Sequence, residues 1–200
     1  MHRQIGAAFM VIDAVAPHVA ALPFSGGFGS MYFTGMRSMA QGDTPLLDSE
    51  MPGANGVATA RALGRVYGAI ANGGQIDGMR FLSAGTVAQL RGTGSVFPDL
   101  GLGLPMDFNL GYHGLPFPGV MPGFGHVGLG GSLGWADPDR GLAFGFVHNR
   151  LLTPLMVADQ AGFVALGAMV RHGVAQARSN GFCRVTEFGA GYADPAPVAG

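Results

Sequence analysis

The chain has 200 residues, of which 48% are hydrophobic and 12% charged, enough apolar material for one folded domain. Its formal net charge is −1, and its 11 basic residues are all arginines scattered from Arg3 to Arg184, so the sequence offers no basic face to nucleic acid. The one cysteine, Cys183, cannot form a disulfide within the chain, and we expect neither a metal nor a cofactor.

Residues 1–48 show weak periodicity and predict an irregular N-terminal segment that ends at the turn-forming residues 41–45. The apolar stretch 5–24 is interrupted by charged and proline residues, so it predicts no membrane span and is a poor signal peptide; we expect a cytoplasmic protein. Methionine and aromatic side chains within 28–39 are more typical of core packing than of an acyl pocket.

Helical periodicity becomes clear after residue 55. Apolar side chains recur near helical spacing over 55–72 and predict an amphipathic helix, with Asn55 or Thr59 as its N-cap. The sequence Asn72-Gly73-Gly74 supplies residues that tolerate left-handed conformations beyond the end of the helix.

A second, short helix is predicted after Ser83, which is a suitable N-cap, and residues 75–82 are predicted as the turn that joins the two helices. Residues 93–123 are crowded with Gly, Pro and Phe and predict a long loop. Within that loop only 108–113 has the pattern of a strand.

Turn sequences divide residues 124–150 into three apolar runs. The glycine pair 130–131 and the sequence 137–141 predict two hairpins, and so an antiparallel sheet of about three strands. Residues 155–178 have the apolar surface of a long helix laid on that sheet, and 179–200 predict a flexible tail. The expected fold class is α/β, of the α+β kind.

These segments resemble, in residues and in order, the C-terminal part of the superfamily of serine β-lactamases, penicillin-binding proteins and esterases. The matching pieces are Gly125-His126-Val127-Gly128, Gly130-Gly131, Trp135-Ala136-Asp137-Pro138, the run 142–147, Asn149-Arg150 and the closing helix. Upstream, 52–61, 71–74 and 82–87 are similar to the family's helical region before that strand. The resemblance covers about residues 50–175 and implies that 49–178 form part of a β-lactamase/transpeptidase-like domain.

The resemblance implies site residues. In the family a Lys-Thr-Gly or His-x-Gly triplet borders the active site, which would place His126, Val127 and Gly128 there, in a form closer to the esterases than to the β-lactamases proper. The main-chain N–H after the triplet, that of Leu129, would stabilise the negative charge on an acyl oxygen. Gly128 would leave room for substrate, His126 would hydrogen-bond it or influence a base, and Val127 and Gly130 would help to bind it.

The family's nucleophile is missing from the sequence. It is the serine of Ser-x-x-Lys, and this chain has no lysine. The family's Tyr-x-Asn motif is also absent, since Tyr32, Tyr67, Tyr112 and Tyr192 are followed two residues later by Thr34, Ala69, Gly114 and Asp194. We therefore expect the C-terminal fragment of an esterase-like serine hydrolase, inactive alone and acting on a small acyl ester or amide only when complemented. The strand 142–147 would then present an edge for a partner chain.

Two other functions are weighed against this one. The chain could be a non-catalytic module that binds a ligand or protein on the same fold. Alternatively, Gly130-Gly131-Ser132-Leu133-Gly134 fits the GxSxG nucleophile elbow of α/β-hydrolases, with Asp159 and His172 following, although glycines precede it and a turn follows closely. His113, His148 and His172 are assigned structural or surface roles, and Asp137 and Asp139 are assigned to a turn.

Overall fold

The structure is a computed structural model that describes residues 14–15, 18, 48, 50, 56–91, 107–115, 121–128, 131–148 and 156–181, with the main chain alone at 156–160 and 163. The chain divides into two compact units, one of residues 1–58 and 95–106 and one of residues 59–94 and 107–200. Most described residues belong to the second unit, whose fold follows. The predictions for the methionine and aromatic side chains of 28–39 and for the tail after 181 lie outside the described residues.

Helix α1 spans Ala60–Ala71 and begins at a cap that the sequence predicts. The Thr59 hydroxyl oxygen accepts the N–H of Ala62 at 3.1 Å, so Thr59 rather than Asn55 is the N-cap. At the other end the Asn72 side-chain amide donates to the carbonyl oxygen of Gly68 at 2.8 Å. The last five residues of α1 are buried and form its contact with the core.

Residues 75–82, predicted as a turn, contain a small hairpin. Strands β1 (Gln75–Ile76) and β2 (Met79–Arg80) pair antiparallel across Asp77 and Gly78, which both have positive φ. Helix α2 (Ala84–Leu90) follows, and the Ser83 hydroxyl caps it by accepting the N–H of Thr86 at 2.9 Å, as predicted.

The main sheet has five antiparallel strands in the described part of the chain, in the order β3-β4-β5-β6-β7. They are β3 (Phe108–Asn109), β4 (Tyr112–His113), β5 (Phe124–Val127), β6 (Leu133–Asp137) and β7 (Leu142–Phe146). The prediction of about three strands from 124 onwards accounts for β5 to β7. The other two come from 108–113, predicted as one strand. Leu110 and Gly111, with φ of +49° and +85°, turn the chain back and split that segment into a hairpin.

The two faces of the sheet carry side chains of different size. Register pairs Ala136 with Ala143 and Gly134 with Gly145, which places small residues of β6 and β7 on the face that contacts α1. A Cβ on Gly145 would lie 2.7 Å from both the carbonyl oxygen of Ala60 and the nitrogen of Gly64, so the helix lies almost on the strand. The core on this face consists of Tyr67, Ile70, Ala71, Leu90, Phe124 and Ala136.

Helix α3 (Met156–Ser179) lies against the opposite face, where a second core consists of Met121, Leu133 and Trp135. The buried carboxylate of Asp137, at the end of β6, accepts from Arg171 Nε of α3 at 2.9 Å. The turn 137–141 is confirmed, but Asp137 binds this arginine through its side chain, which corrects its assignment to turn chemistry alone. Of the helices in the described ranges, none has both the length and the apolar character needed to cross a membrane.

Alanine at Gly145 tests the close approach of α1. We expect Gly145→Ala to lower the free energy of unfolding by about 1–3 kcal/mol, because the added methyl group meets helix backbone that cannot move aside locally. Gly173→Ala is the matched control, since Gly173 is exposed on α3 with open space around it, and should raise that free energy by about 0.5–1 kcal/mol. Urea unfolding measures both values, and equal effects of the two substitutions would contradict the packing described.

Candidate active site

The segment His126-Val127-Gly128 forms the end of β5, where the chain turns towards β6. The N–H of Gly128 donates to the carbonyl oxygen of Ser132 at 2.8 Å, and the carbonyl oxygen of Gly128 accepts the N–H of Gly131 at 2.8 Å. A Cβ on Gly128 would come within 3.3 Å of the Ser132 oxygen, so glycine keeps the strand end tight against its partner. The other two predicted site residues, Leu129 and Gly130, lie outside the described residues.

His113 of β4 holds the other side of this strand end. β4 pairs with β5 at His113 and Gly125, and two residues further along the N–H of Val127 donates to His113 Nε2 at 3.1 Å. His113 Nδ1 lies 2.9 Å from the carbonyl oxygen of Gly114, which can only accept. Nδ1 therefore carries the proton and Nε2 is the acceptor, so a neutral imidazole satisfies both bonds. The residue is only 3% exposed.

The His126 side chain is exposed at the edge of the site. Its ring meets the ring of His113 edge-on, with 5.3 Å between centroids. Its main chain interacts with the hydroxyl of Tyr67, which reaches across from α1 over Gly134, the cross-strand partner of His126. His126 is thus placed between one buried imidazole and one buried phenol.

The titratable side chains of this cluster are neutral near pH 7. Burial lowers the pKa of His113 below its ordinary 6.5, and the adjacent His126 lowers it further, while the bond to Gly114 acts in the opposite sense. Partial burial of the ring also lowers the pKa of His126 from 6.5. Burial raises the pKa of Tyr67 above the usual value for tyrosine, and also that of Tyr112, whose ring meets the Tyr67 ring edge-on with 5.9 Å between centroids. The cluster therefore adds no charge to the end of β5.

Sequence reasoning missed three members of this cluster. Tyr67 was counted as an apolar position of a helix, and both Tyr67 and Tyr112 were considered only for the absent Tyr-x-Asn motif. His113 was assigned a structural or surface role. Recognising Leu110-Gly111 as a turn would have revealed the hairpin that carries Tyr112 and His113, but leucine is not a typical turn residue.

The alternative nucleophile Ser132 does not have the required surroundings. A nucleophile elbow places the serine between a strand and a helix, whereas Ser132 lies between β5 and β6 and leads directly into a strand. The proposed partner His172 is an exposed residue of α3, and the side chain of Asp159 lies outside the described residues. The α/β-hydrolase interpretation of Ser132 is therefore wrong.

Comparison with known protein families identifies the family of the chain. The β-lactamase family model matches residues 8–169. The chain belongs to the β-lactamase family. The matched range includes the whole β3–β7 sheet and begins upstream of residue 50, where the resemblance in sequence starts.

The chain is similar to a mycobacterial protein and, over about half of its length, to proteins of known structure. The chain is 60% identical over 178 residues to the "Esterase/beta-lactamase LipL" of Mycobacterium tuberculosis (strain ATCC 25618 / H37Rv), a match that covers 88% of this chain and 42% of that protein. A family VIII carboxylesterase of known structure is 31% identical, with a TM-score of 0.45, over 54% of this chain and 30% of that chain. A penicillin-binding protein homolog from Caulobacter crescentus is 27% identical, with a TM-score of 0.44, over 54% of this chain and 31% of that chain. The chain thus spans less than half the length of its mycobacterial relative.

The lowered histidine pKa values predict how stability depends on pH. As pH falls through 6.5, the unfolded chain binds protons on His113 and His126 before the folded chain does, so the free energy of unfolding decreases. Urea unfolding between about pH 7.5 and about pH 5.5 should show this decrease. His113→Gln should make the decrease smaller, because it removes one of the two histidines whose pKa is lowered. A free energy of unfolding that is constant or rises over this interval would contradict the assignment of neutral imidazoles.

Proposed function

We propose that this chain supplies the His-x-Gly strand end, His126-Val127-Gly128, which borders the active site of an acyl hydrolase that cleaves a small ester or amide. The observation that carries the proposal is the end of β5, where His126, Val127 and Gly128 stand in a chain of the β-lactamase family. The exposed imidazole of His126 offers a neutral donor or acceptor beside a strand end whose main chain is fixed on both sides. Such a strand end binds and orients a carbonyl group without adding a charge to the pocket.

The proposed oxyanion donor is the N–H of Leu129. The N–H of Val127 is directed to His113 and that of Gly128 to Ser132 on the β6 side, so both of these donors are already used within the sheet. The resemblance to the family assigns the role to the N–H that follows the triplet. A preorganised donor of this kind stabilises the developing negative charge of an acyl-transfer reaction by on the order of 3 kcal/mol.

The nucleophile is proposed to come from a polypeptide segment outside these 200 residues, because the sequence contains no lysine to complete a Ser-x-x-Lys motif. The edge of β7 is the proposed contact for that segment. In the described sheet β7 is the last strand of the order, and an extended segment can pair with a terminal strand through main-chain hydrogen bonds. On this proposal the chain is inactive alone. A non-catalytic binding module remains the alternative.

Complementation tests the proposed function. The chain is mixed with a segment of a β-lactamase-family protein that carries Ser-x-x-Lys, and hydrolysis of short-chain p-nitrophenyl esters is followed. We expect hydrolysis by the mixture and none by either component. His126→Ala should lower kcat/KM of the mixture by about 100-fold, the order of effect of a well-placed proton donor or acceptor.

His172→Ala is the control for that substitution, because it removes an exposed histidine of α3 and should leave kcat/KM unchanged. Hydrolysis by the chain alone would overturn the assignment of the nucleophile to another segment. If no Ser-x-x-Lys segment gives hydrolysis while the chain melts cooperatively and shifts its melting temperature with a ligand, the binding module replaces the enzyme.

A further inference from the structure

We propose that His113 is a positioning residue for the strand end 126–128, acting through the main chain of Val127 and the ring of His126. The inference deepens the proposed function and rests on it, since the strand end matters for catalysis only if it borders the acyl site. His113 itself would not touch the reacting atoms.

The first support is the bond that His113 makes to β5. A sheet is ordinarily held by bonds between main-chain groups, but here a side-chain nitrogen, His113 Nε2, receives the N–H of Val127 at 3.1 Å. On the neighbouring strand position, Gly128 is bonded to Ser132 in the ordinary manner. One side of the strand end therefore depends on a side chain, and a change in that side chain moves the main chain that precedes the proposed oxyanion donor.

The second support is that His113 has little freedom to move. Its Nδ1 donates to the carbonyl oxygen of Gly114 at 2.9 Å, and the rings of Phe108 and Trp135 meet its own with centroids 5.5 Å and 5.9 Å away. The ring of His126 packs against it at 5.3 Å. A fixed imidazole thus limits the movement of the Val127 main chain. It also limits the orientation of the His126 side chain, which is the group proposed to contact the substrate.

The third support is that only the neutral form of His113 can do this. Protonation would turn Nε2 into a donor, which cannot accept the N–H of Val127. Among the described residues, the titratable side chain whose ring contacts that of His113 is His126, and burial lowers the pKa of both histidines. The cavity beside His113 is also lined by Asp107, Tyr112 and the ion pair of Arg91 with Asp139, whose atoms are 2.9 Å apart. The strand end is therefore held near neutral pH and released in acid.

Imidazole nitrogen NMR on the intact chain tests the bond without any need for activity. We expect His113 to be protonated at Nδ1 and unprotonated at Nε2 near neutral pH, with a coupling across the hydrogen bond between the nitrogen of Val127 and Nε2. The amide resonance of Val127 should shift together with the acid titration of His113. A proton on Nε2, or a Val127 amide resonance that does not shift during this titration, overturns the proposal.

Two substitutions test positioning in the complemented mixture. His113→Phe keeps a ring but removes the acceptor, and should lower kcat about tenfold while KM changes less, a loss comparable to that of one hydrogen bond. His113→Gln should restore most of kcat, since its side-chain oxygen can accept the N–H of Val127. It should also remove from the pH profile the acid limb that belongs to His113. His172→Phe is the matched control and should change none of these quantities.

The outcomes separate the two proposals. If the wild-type mixture does not hydrolyse esters, the proposed function is overturned, and with it the positioning role of His113 in catalysis. A mixture that hydrolyses esters equally well with His113→Phe, folded by circular dichroism, overturns the positioning role alone. If His113→Phe does not fold, the decision rests on the wild-type titration and on His113→Gln, which must retain the Val127 bond and most of kcat.

Discussion

The distance between α1 and the sheet is the constraint on which the rest of the described fold depends. Gly134 and Gly145 are cross-strand neighbours on β6 and β7, and a Cβ at either would collide with α1, with the Tyr67 ring in one case and with helix backbone in the other. Their lack of side chains lets the helix lie directly on the strands. Because side chains alternate along a strand, the bulky residues of β6 and β7 are then directed to the opposite face, against α3.

The same close approach between α1 and the sheet also determines how the end of β5 is held. Tyr67 can cross Gly134 to reach the main chain of His126 only because that position has no side chain. From the other side, His113 holds Val127 through its imidazole. The end of β5 is thus fixed by one phenol and one imidazole, both neutral, and the residue between them, His126, is exposed.

Local chemistry decided which features could be predicted from the sequence. The caps Thr59 and Ser83 act within three residues, and the turns after β5 and β6 are made of glycine, aspartate and proline, so the helices and the strands β5 to β7 were predictable. The hairpin of β3 and β4 was not, because a leucine occupies a left-handed turn position. The hydrogen bonds between Val127 and His113 and between Arg171 and Asp137 join residues 14 and 34 positions apart, and no local sequence pattern indicates them.

The central claim is that the end of β5 borders the position of the reacting acyl group. The most direct measurement uses the isotope-labelled chain, complemented by a Ser-x-x-Lys segment and titrated with a phenylboronic acid, which forms a tetrahedral adduct with an active serine and imitates the transition state. The account predicts that amide shifts concentrate at His126, Val127 and Gly128. Saturable binding that shifts other residues, such as those beside Arg91 and Asp139, and leaves these three unchanged would contradict it.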